Sequence, residues 1–510
     1  MNLRLVTTPI AADVPRPVPR GGGLAASLLP AFHASGVAES QLPRLAEPDA
    51  LVVTTGQQPG LFTGPLYTVF KALSAAALAR RLEEEWERPV VPVFWAAGDD
   101  HDFAEANHAS WIAQNGELRT AVLRERPAGA PLTPMYREPL GEEIAALLAQ
   151  LEDDLMPSEY GSVTAEWLRR SFRADATVAG AYREALTELL GAAGIVVFES
   201  THRAVKHSAA SHLLRALEAS DELDRGLAAR AAELREAGRD PGVAVGDGAT
   251  LLMLEASEGR DRLLATGDRT YVTRRSGERF SLAALEAISE KEPERLSPNV
   301  LLRPVIESAL LPTVAYVAGP GELRYLALTP PIYDRIDVRQ QTPVPRWSGV
   351  IVEPRVDRVL AKFGVTLDQL LDPAADVERT VVREQLPAEA SETLAALRRQ
   401  IADGYGRIAG VAQNVDSTLV RSVEGTRNRA LAGVRDVEKR LVRHLRRRRG
   451  TELRQLTEAR TLLLPQGQPQ ERVLTIAPFL ARHGPPLIPA LLAEASAWYA
   501  GALEGEPVRE

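Results

Sequence analysis

The 510-residue sequence contains no cysteine, which removes disulfides, thiolate metal sites and a cysteine nucleophile together. Any thiol in its chemistry has to arrive with a substrate. Lysine is scarce as well: Lys71, Lys206, Lys291, Lys362 and Lys439 stand against a large arginine excess, so a lysine kept inside a motif draws notice. No apolar run reaches the roughly 20 residues of a membrane-spanning helix. Met1 to Pro30 has no basic head leading into an apolar block, and the expected compartment is the cytoplasm. A basic field is also missing. The formal net charge of -8 argues against nucleic acid or anionic lipid as a partner and for small-molecule substrates.

What is present describes a folding chain. Hydrophobic residues at 45% and charged residues at 25% match ordinary globular proteins, and the length implies roughly two to four structural units. Leu51-Val-Val-Thr-Thr55 is an apolar β-branched run ending in Gly56, which reads as a buried parallel strand. A glycine-rich loop from Gln57 to Pro65 follows, and Leu66 to Glu85 carries apolar residues at helical spacing. Pro89 to Ala97 (PVVPVFWAA) supplies a second strand, which closes a β-α-β unit with a right-handed crossover. Residues 140 to 240 are mainly helical by pattern, interrupted by the strand Gly194 to Glu199. From Thr250 to Arg275, short alternating runs between Gly and Asp turns predict an antiparallel insertion. Thr313 to Ala318 is a further strand, ending in Gly319-Pro-Gly-Glu322 before a helix near Leu323 to Leu328.

Beyond Leu370 the texture changes. Leu397, Ile401, Ile408, Val411 and Val415 keep three/four spacing, as do Ala430, Val434, Val437 and Leu441, which predicts a long antiparallel helical hairpin. Gly404, Gly406, Gly410 and Gly425 each weaken those helices by roughly 1 kcal/mol relative to alanine and are candidate kinks or turns. The fold class expected is α/β, a Rossmann-like parallel sheet core with inserted connecting modules and a long C-terminal α-helical coiled-coil arm. Its expected parts are an N-terminal segment with the first half of the core (1–135), a helical insertion with a further core strand (136–240), a small antiparallel β insertion (241–295), the second half of the core (296–368), the coiled coil (369–465) and a C-terminal segment packing back on the core (466–510).

Three clusters carry candidate chemistry. In Thr55 to Lys71, Gly56, Gln57, Gln58, Thr63, Gly64, Tyr67 and Lys71 stand where a first Rossmann strand hands over to its helix, the position at which such sheets bind ligands. Glycines permit close backbone approach, the helix start offers N–H groups to an anion, and Lys71 adds a point charge. A tight turn with ordinary packing is the plainer account of any one of these residues. Asp99, Asp100, His101 and Asp102, followed by Asn107 and His108, form the second cluster; it can hold magnesium, orient an amine or manage a proton, or merely cap the next helix through Asp102 or a neighbour. The third joins Asn299 and Arg303 to Gly319, Gly321, Glu322 and Tyr325, with Arg303 as a candidate carboxylate clamp. His202, His207 and His212 do not share a helical face, so surface or core roles are expected. The run Arg446 to Arg449 reads as a solvated face, and Glu471 with Arg472 as an ion pair.

The segments TGQQPGLFTGPLYTVFKA, PVFWAAGDDHDF, NVLLRPVIESALLPTVAYVAGPGE and LLPQGQPQERVLTIAPFL, in this order, resemble the signature segments of the bacillithiol biosynthesis cysteine-adding enzymes. The resemblance spans essentially the whole chain. It implies a cytoplasmic ligase that joins L-cysteine to glucosaminyl-malate by an amide bond, on a Rossmann core whose coiled coil supports a homodimer. Gly64 to Phe70 also looks like the GPLHIGH stretch of class I aminoacyl-tRNA synthetases, with Tyr67 and Phe70 where the two histidines would stand and no KMSKS-like lysine loop near Pro345 to Pro354. Because amide formation from a free carboxylate is uphill in water, an ATP-dependent acyl-adenylate or acyl-phosphate of cysteine is the natural expectation, with ATP and Mg2+ as candidate cofactors and no metal ligands assigned. In that picture Asp99 to Asp102 receive the amine or assist proton transfer. The rival readings are another acyl- or nucleotidyltransferase of the superfamily, such as a pantothenate-synthetase-like amide former, and a non-catalytic ligand-sensing scaffold.

Overall fold

The computed structural model describes residues 3–504 other than 12, 247 and 385. They form two compact units, one of residues 3–351 with the chain from 470 onward, the other of residues 352–469.

The first unit is organised by a six-stranded sheet. Its strands are β1 (Phe32–His33), β2 (Leu51–Gln57), β3 (Val90–Ala96), β4 (Val196–Glu199), β5 (Thr313–Ala318) and β6 (Thr342–Pro345), in the spatial order β6-β5-β2-β3-β4-β1. All neighbours are parallel except the edge pair β1 and β4. From β4 inward, the five parallel strands run 3-2-1-4-5, the Rossmann order, and the direction of winding reverses between β2 and β5. The apolar runs read from the sequence are buried along their lengths, as expected of strands covered on both faces.

Helix α1 (Leu66–Trp86) crosses from β2 to β3. Its Ala- and Leu-rich surface is buried on most sides because the terminal helix Leu487–Glu504 packs on it opposite the sheet, the situation that favours a helix without a polar face. Gly56, at the end of β2, is set by its neighbour: a Cβ there would lie 2.8 Å from the Trp95 carbonyl oxygen.

The antiparallel insertion is larger than the pattern predicts. Five strands, in the order Arg279–Ser281, Thr270–Thr273, Gly259–Ala265, Ala249–Ala256 and Leu296–Pro298, form one antiparallel sheet. A two-stranded ribbon, His108–Ile112 with Leu118–Val122, was not expected. It begins at the polar Asn107-His108 pair, and His108 is a strand residue rather than part of the acidic loop. Helices fill 143–236 around β4, and His202 caps one of them by accepting from the Ala204 amide at 3.2 Å.

In the second unit, α2 (Ala388–Val415) and α3 (Leu419–Arg448) form the hairpin, joined by a turn in which Asp416 accepts from the Thr418 amide at 2.8 Å. Gly404, Gly406, Gly410 and Gly425 all lie inside unbroken helix, so the expected kinks are absent. The contacts between the helices outweigh the local cost of each glycine. Glu438 of α3 pairs with Arg383 at 3.0 Å and with Arg398 of α2, and Arg446, first of the arginine run, pairs with Glu378.

Candidate active site

A cleft of about 560 Å³ opens at the carboxyl ends of β2 and β5, the point where the winding reverses. Gly56 and Gln57 enter it from β2, Gly319 to Glu322 from β5, and Asp99 to Asp102 from the loop after β3. The antiparallel insertion contributes Arg260 and Arg262, and the C-terminal segment contributes Arg472.

The floor is a chain of charged and polar groups. Lys71, buried in α1, pairs with Glu322 at 2.7 Å, donates to the Gly56 carbonyl and lies 3.3 Å from Gln57 Oε1. Glu322 also accepts from the Tyr316 hydroxyl at 2.6 Å and the Gly319 amide at 2.7 Å. Arg303 donates to Tyr316 Oη and to the buried Glu307, both at 2.9 Å, and its guanidinium stacks 5.0 Å from the Tyr316 ring centre. Thr54 of β2 donates to the other oxygen of Glu307. Burial alone would push the Glu322 carboxyl up, but Lys71 and the Gly319 amide hold it below its ordinary value. Burial pushes the Glu307 carboxyl up. Arg303, expected as a carboxylate clamp, thus spends two of its donors on the protein while its side chain still borders the cleft.

The acidic loop divides its labour. Asp99 pairs with Lys206, which also donates to the Leu296 carbonyl at 3.1 Å. Asp100 accepts from the Asp102 amide at 2.9 Å, and Asp102 caps the helix Phe103–Ala106, accepting from Glu105 N at 3.4 Å. The capping account is therefore true of Asp102. Among the described residues no three carboxylate or imidazole groups converge as a set able to hold a metal ion. His101 Nδ1 lies 3.0 Å from Arg260. Burial, with Arg260 and Arg126 outweighing Asp100 and Asp102, pushes its pKa down to about 4, so the ring is neutral at pH 7.

Of the residues singled out in the sequence, Gly56, Gln57, Gln58, Tyr67, Lys71, Asp99, Asp100, His101, Asp102, Asn299, Arg303, Gly319, Gly321, Glu322 and Tyr325 line this one cleft. Gln58 bonds Glu105 across it, and burial beside Glu105 pushes the Tyr67 hydroxyl up to about 12. The structure does not bring Thr63, Gly64 and Asn107 to its wall. Thr63 is fully buried, Gly64 takes up a turn with φ of 72°, and Asn107 bonds the Arg124 carbonyl at 2.6 Å at the base of the ribbon. The expected anion cradle at the start of α1 is closed as well. Leu66 N–H donates to the Leu474 carbonyl at 2.8 Å, and Thr475 Oγ1 donates to the Phe62 carbonyl at 2.8 Å, so the C-terminal segment occupies the place a phosphate would take.

Lys206, Arg260, Arg262, Tyr316, Glu307 and Arg346 were missed. Arg260 and Arg262 were legible in principle, because an Arg-x-Arg pair on a strand points to one face. Glu471 and Arg472 do not pair as expected: Glu471 takes Arg346 through two bonds, one of 2.8 Å. Arg472 and Arg262 reach the cleft with no carboxylate partner among the described residues.

A Rossmann sheet with a charged cleft at its switch point defines an enzyme that gathers polar small molecules at its strand ends. The chain belongs to the bacillithiol biosynthesis BshC family: the model of the family's N-terminal Rossmann-like domain matches residues 26–347 and that of its C-terminal coiled-coil domain residues 349–498. A protein of Heliobacterium modesticaldum is 32% identical over 91% of this chain and 84% of its own length, and one of Solibacter usitatus is 30% identical over 90% and 85%. A Bacillus velezensis relative is 27% identical over 89% and 84%. Each bears the name "Putative cysteine ligase BshC". The chain is a ligase-family enzyme, and none of its described helices is long and apolar enough to cross a membrane.

Proposed function

We propose that this enzyme forms the amide bond between L-cysteine and glucosaminyl-malate, completing bacillithiol in the cytoplasm, with the cysteine carboxylate activated at the expense of ATP in the presence of Mg2+. The observation that carries the reading is the meeting, in one cleft, of two guanidinium groups without a carboxylate partner among the described residues, Arg262 and Arg472, with the carboxylates of Asp100 and Asp102. Malate brings two carboxylates and cysteine an ammonium group, so the substrates supply the charges that the protein leaves unmatched. A chain without cysteine can handle a thiol substrate without forming mixed disulfides with it.

With the start of α1 closed, Gly319 to Gly321 is the stretch that would receive a nucleotide: it borders the cleft, and nothing lies within 4 Å of a Cβ built on Gly321. ATP would supply the leaving group that makes the cysteine carboxyl carbon electrophilic. The chain's own residues then orient the partners: Arg262 and Arg472 hold anionic groups, and Asp100 receives the proton released as the glucosamine nitrogen attacks. Purified protein incubated with glucosaminyl-malate, L-cysteine, ATP and Mg2+ is expected to yield bacillithiol by mass spectrometry, and Arg262→Ala to raise the KM for the malate-bearing substrate at least tenfold, about the worth of one charged hydrogen bond. Product with other acid and amine pairs but not these would favour the pantothenate-synthetase-like reading. Ligand binding without turnover would favour the scaffold.

We further infer that the enzyme dimerises through its arm. Ile408, Val411 and Val415 continue the apolar seam of α2 yet are 53%, 63% and 73% exposed, and Val437 and Leu441 of α3 are exposed too. A second copy offers the same seam, as a twofold interface requires. Light scattering should give twice the 55.3 kDa chain mass, and Ile408→Glu with Val411→Glu should reduce it to one chain; a monomeric parent protein would refute the inference.

A further inference from the structure

We propose that Arg260 is a positioning residue that fixes His101 as a hydrogen-bond donor through Nε2, so that His101 holds an anionic oxygen of the substrate and does not take up the proton of the attacking amine. This deepens, and for its catalytic consequence rests on, the ligase reading of the cleft.

A guanidinium carries only donors. Its 3.0 Å approach to His101 Nδ1 therefore makes that nitrogen an acceptor, and a neutral imidazole with Nδ1 accepting has its single proton on Nε2. Arg260 cannot easily swing away. It is buried, its Nε donates to Ser297 Oγ at 2.8 Å and a second terminal nitrogen to the Pro298 carbonyl at 2.7 Å. The histidine is held from its own backbone too, because its carbonyl accepts from Arg126 at 2.8 Å and from the Phe103 amide at 2.9 Å. The charged groups facing the ring come from three places: Asp100 and Asp102 on its own loop favour the imidazolium, while Arg260 of the insertion and Arg126 oppose it. Burial sides with the arginines. His101 lines the cleft, and Nε2 has no protein partner among the described residues, so its N–H is available to a ligand oxygen, a carboxylate or phosphoryl group. A proton acceptor has to be sought elsewhere, in Asp100. The antiparallel insertion, from which Arg260 comes, thereby sets the chemistry of a loop on the Rossmann core.

The full-length protein labelled with [15N]histidine tests this without any turnover. Two-bond 15N–1H spectra, with His101 assigned by its loss in His101→Gln, should show Nδ1 unprotonated and Nε2 protonated from about pH 5 to 8, and no titration near the ordinary value of 6.5. A protonated Nδ1, or a normal titration, overturns the proposal. In Arg260→Gln the ring should begin to titrate within that window, whereas Ser297→Ala, which removes a different contact of Arg260, should leave the tautomer unchanged. In the ligase assay, glutamine at 101 can accept from Arg260 and still donate, so His101→Gln should keep turnover within tenfold while His101→Ala loses about 100-fold, the usual worth of one oxyanion donor. Equal losses in the two would identify a proton acceptor and refute the assignment. A parent protein inactive on the proposed substrates would refute the functional reading and leave the tautomer result standing.

Discussion

Glu322→Ala is expected to destabilise the first unit by about 3–5 kcal/mol and to abolish turnover, because it leaves the buried Lys71 ammonium at the floor of the cleft without its counter-charge. The Lys71 side chain is 1% exposed, and its remaining partners are a carbonyl and an amide oxygen. Neither neutralises a charge. Lys71→Met combined with Glu322→Leu should recover most of the lost stability, since replacing both members of a buried pair by apolar groups removes the desolvation cost together with the attraction. It should not recover turnover, because the Gly319 amide and the Tyr316 hydroxyl lose the acceptor that shapes the loop bordering the cleft. Urea unfolding of the single and double variants separates the two effects; a single variant within about 1 kcal/mol of the parent, the range of an exposed pair, would sink the account.

The pair also has a pH signature. The Glu322 carboxyl sits below its ordinary value of 4.5 in the folded chain, so the folded state binds its proton less readily than the unfolded state. Its contribution is therefore fully present above pH 4.5 and is lost as the pH falls through the folded-state value. Glu322→Gln, which cannot titrate, should show a correspondingly shallower loss of stability in acid.

The parallel core was legible because its strands are buried on both faces and so appear as continuous apolar runs, Leu51 to Thr55 and Thr313 to Ala318 among them. Their spatial order was not, since nothing local in a strand says which neighbour it takes. The strands Arg279–Ser281 and Leu296–Pro298 escaped for a related reason: they are three residues long, too short to show a period, and they exist through pairing with longer strands. The ribbon at 108–122 did carry a signal, the Asn115-Gly116 turn between alternating runs, with Gly116 at a φ of 83°.

In the cleft, residues at strand ends were legible because the Rossmann order directs ligands there, and Gln57, Asp100 and Glu322 need only their own strand to reach it. Arg262 and Arg472 depend on how distant segments fold against that core: the Arg-x-Arg spacing gives 260 and 262 a shared strand face but not what that face meets, while Arg346 directly follows the core strand β6. Thr63 and Gly64 misled for a physical reason. The glycine-rich loop looks open in sequence, but Phe62, Thr63 and Gly64 turn through successive positive φ angles of 49°, 73° and 72° to pass beneath Leu474 and Thr475. A chain segment some 400 residues away in sequence fills the place reserved, on local grounds, for a phosphate.

That closure makes Glu471 the second position where a large effect is expected. Glu471 accepts from Arg346 through both oxygens and from Ser348 Oγ at 2.9 Å, and the two charged side chains are 6% and 3% exposed. Glu471→Ala leaves the Arg346 guanidinium buried with one carbonyl, that of Trp347 at 3.0 Å, and should cost about 3–5 kcal/mol. Ser348→Ala, which removes one hydrogen bond to the carboxylate but leaves the ion pair, should cost less, about 1.5–3 kcal/mol. The consequence for function differs from that of Glu322. Residues 470–475 carry Arg472 to the cleft and lay Leu474 over the start of α1, so loosening them withdraws a cation from the site and uncovers backbone N–H groups that attract anions. Arg346→Met with Glu471→Leu should restore stability through apolar packing but leave kcat/KM depressed, because Arg346 itself borders the cleft. Glu471→Ala alone should raise KM for the anionic substrate while its fold, monitored by circular dichroism below the unfolding transition, stays intact. Recovery of full turnover in the double variant would mean that Arg346 only anchors the C-terminal segment, and an unchanged KM in Glu471→Ala would mean that this segment closes the fold and positions nothing in the site.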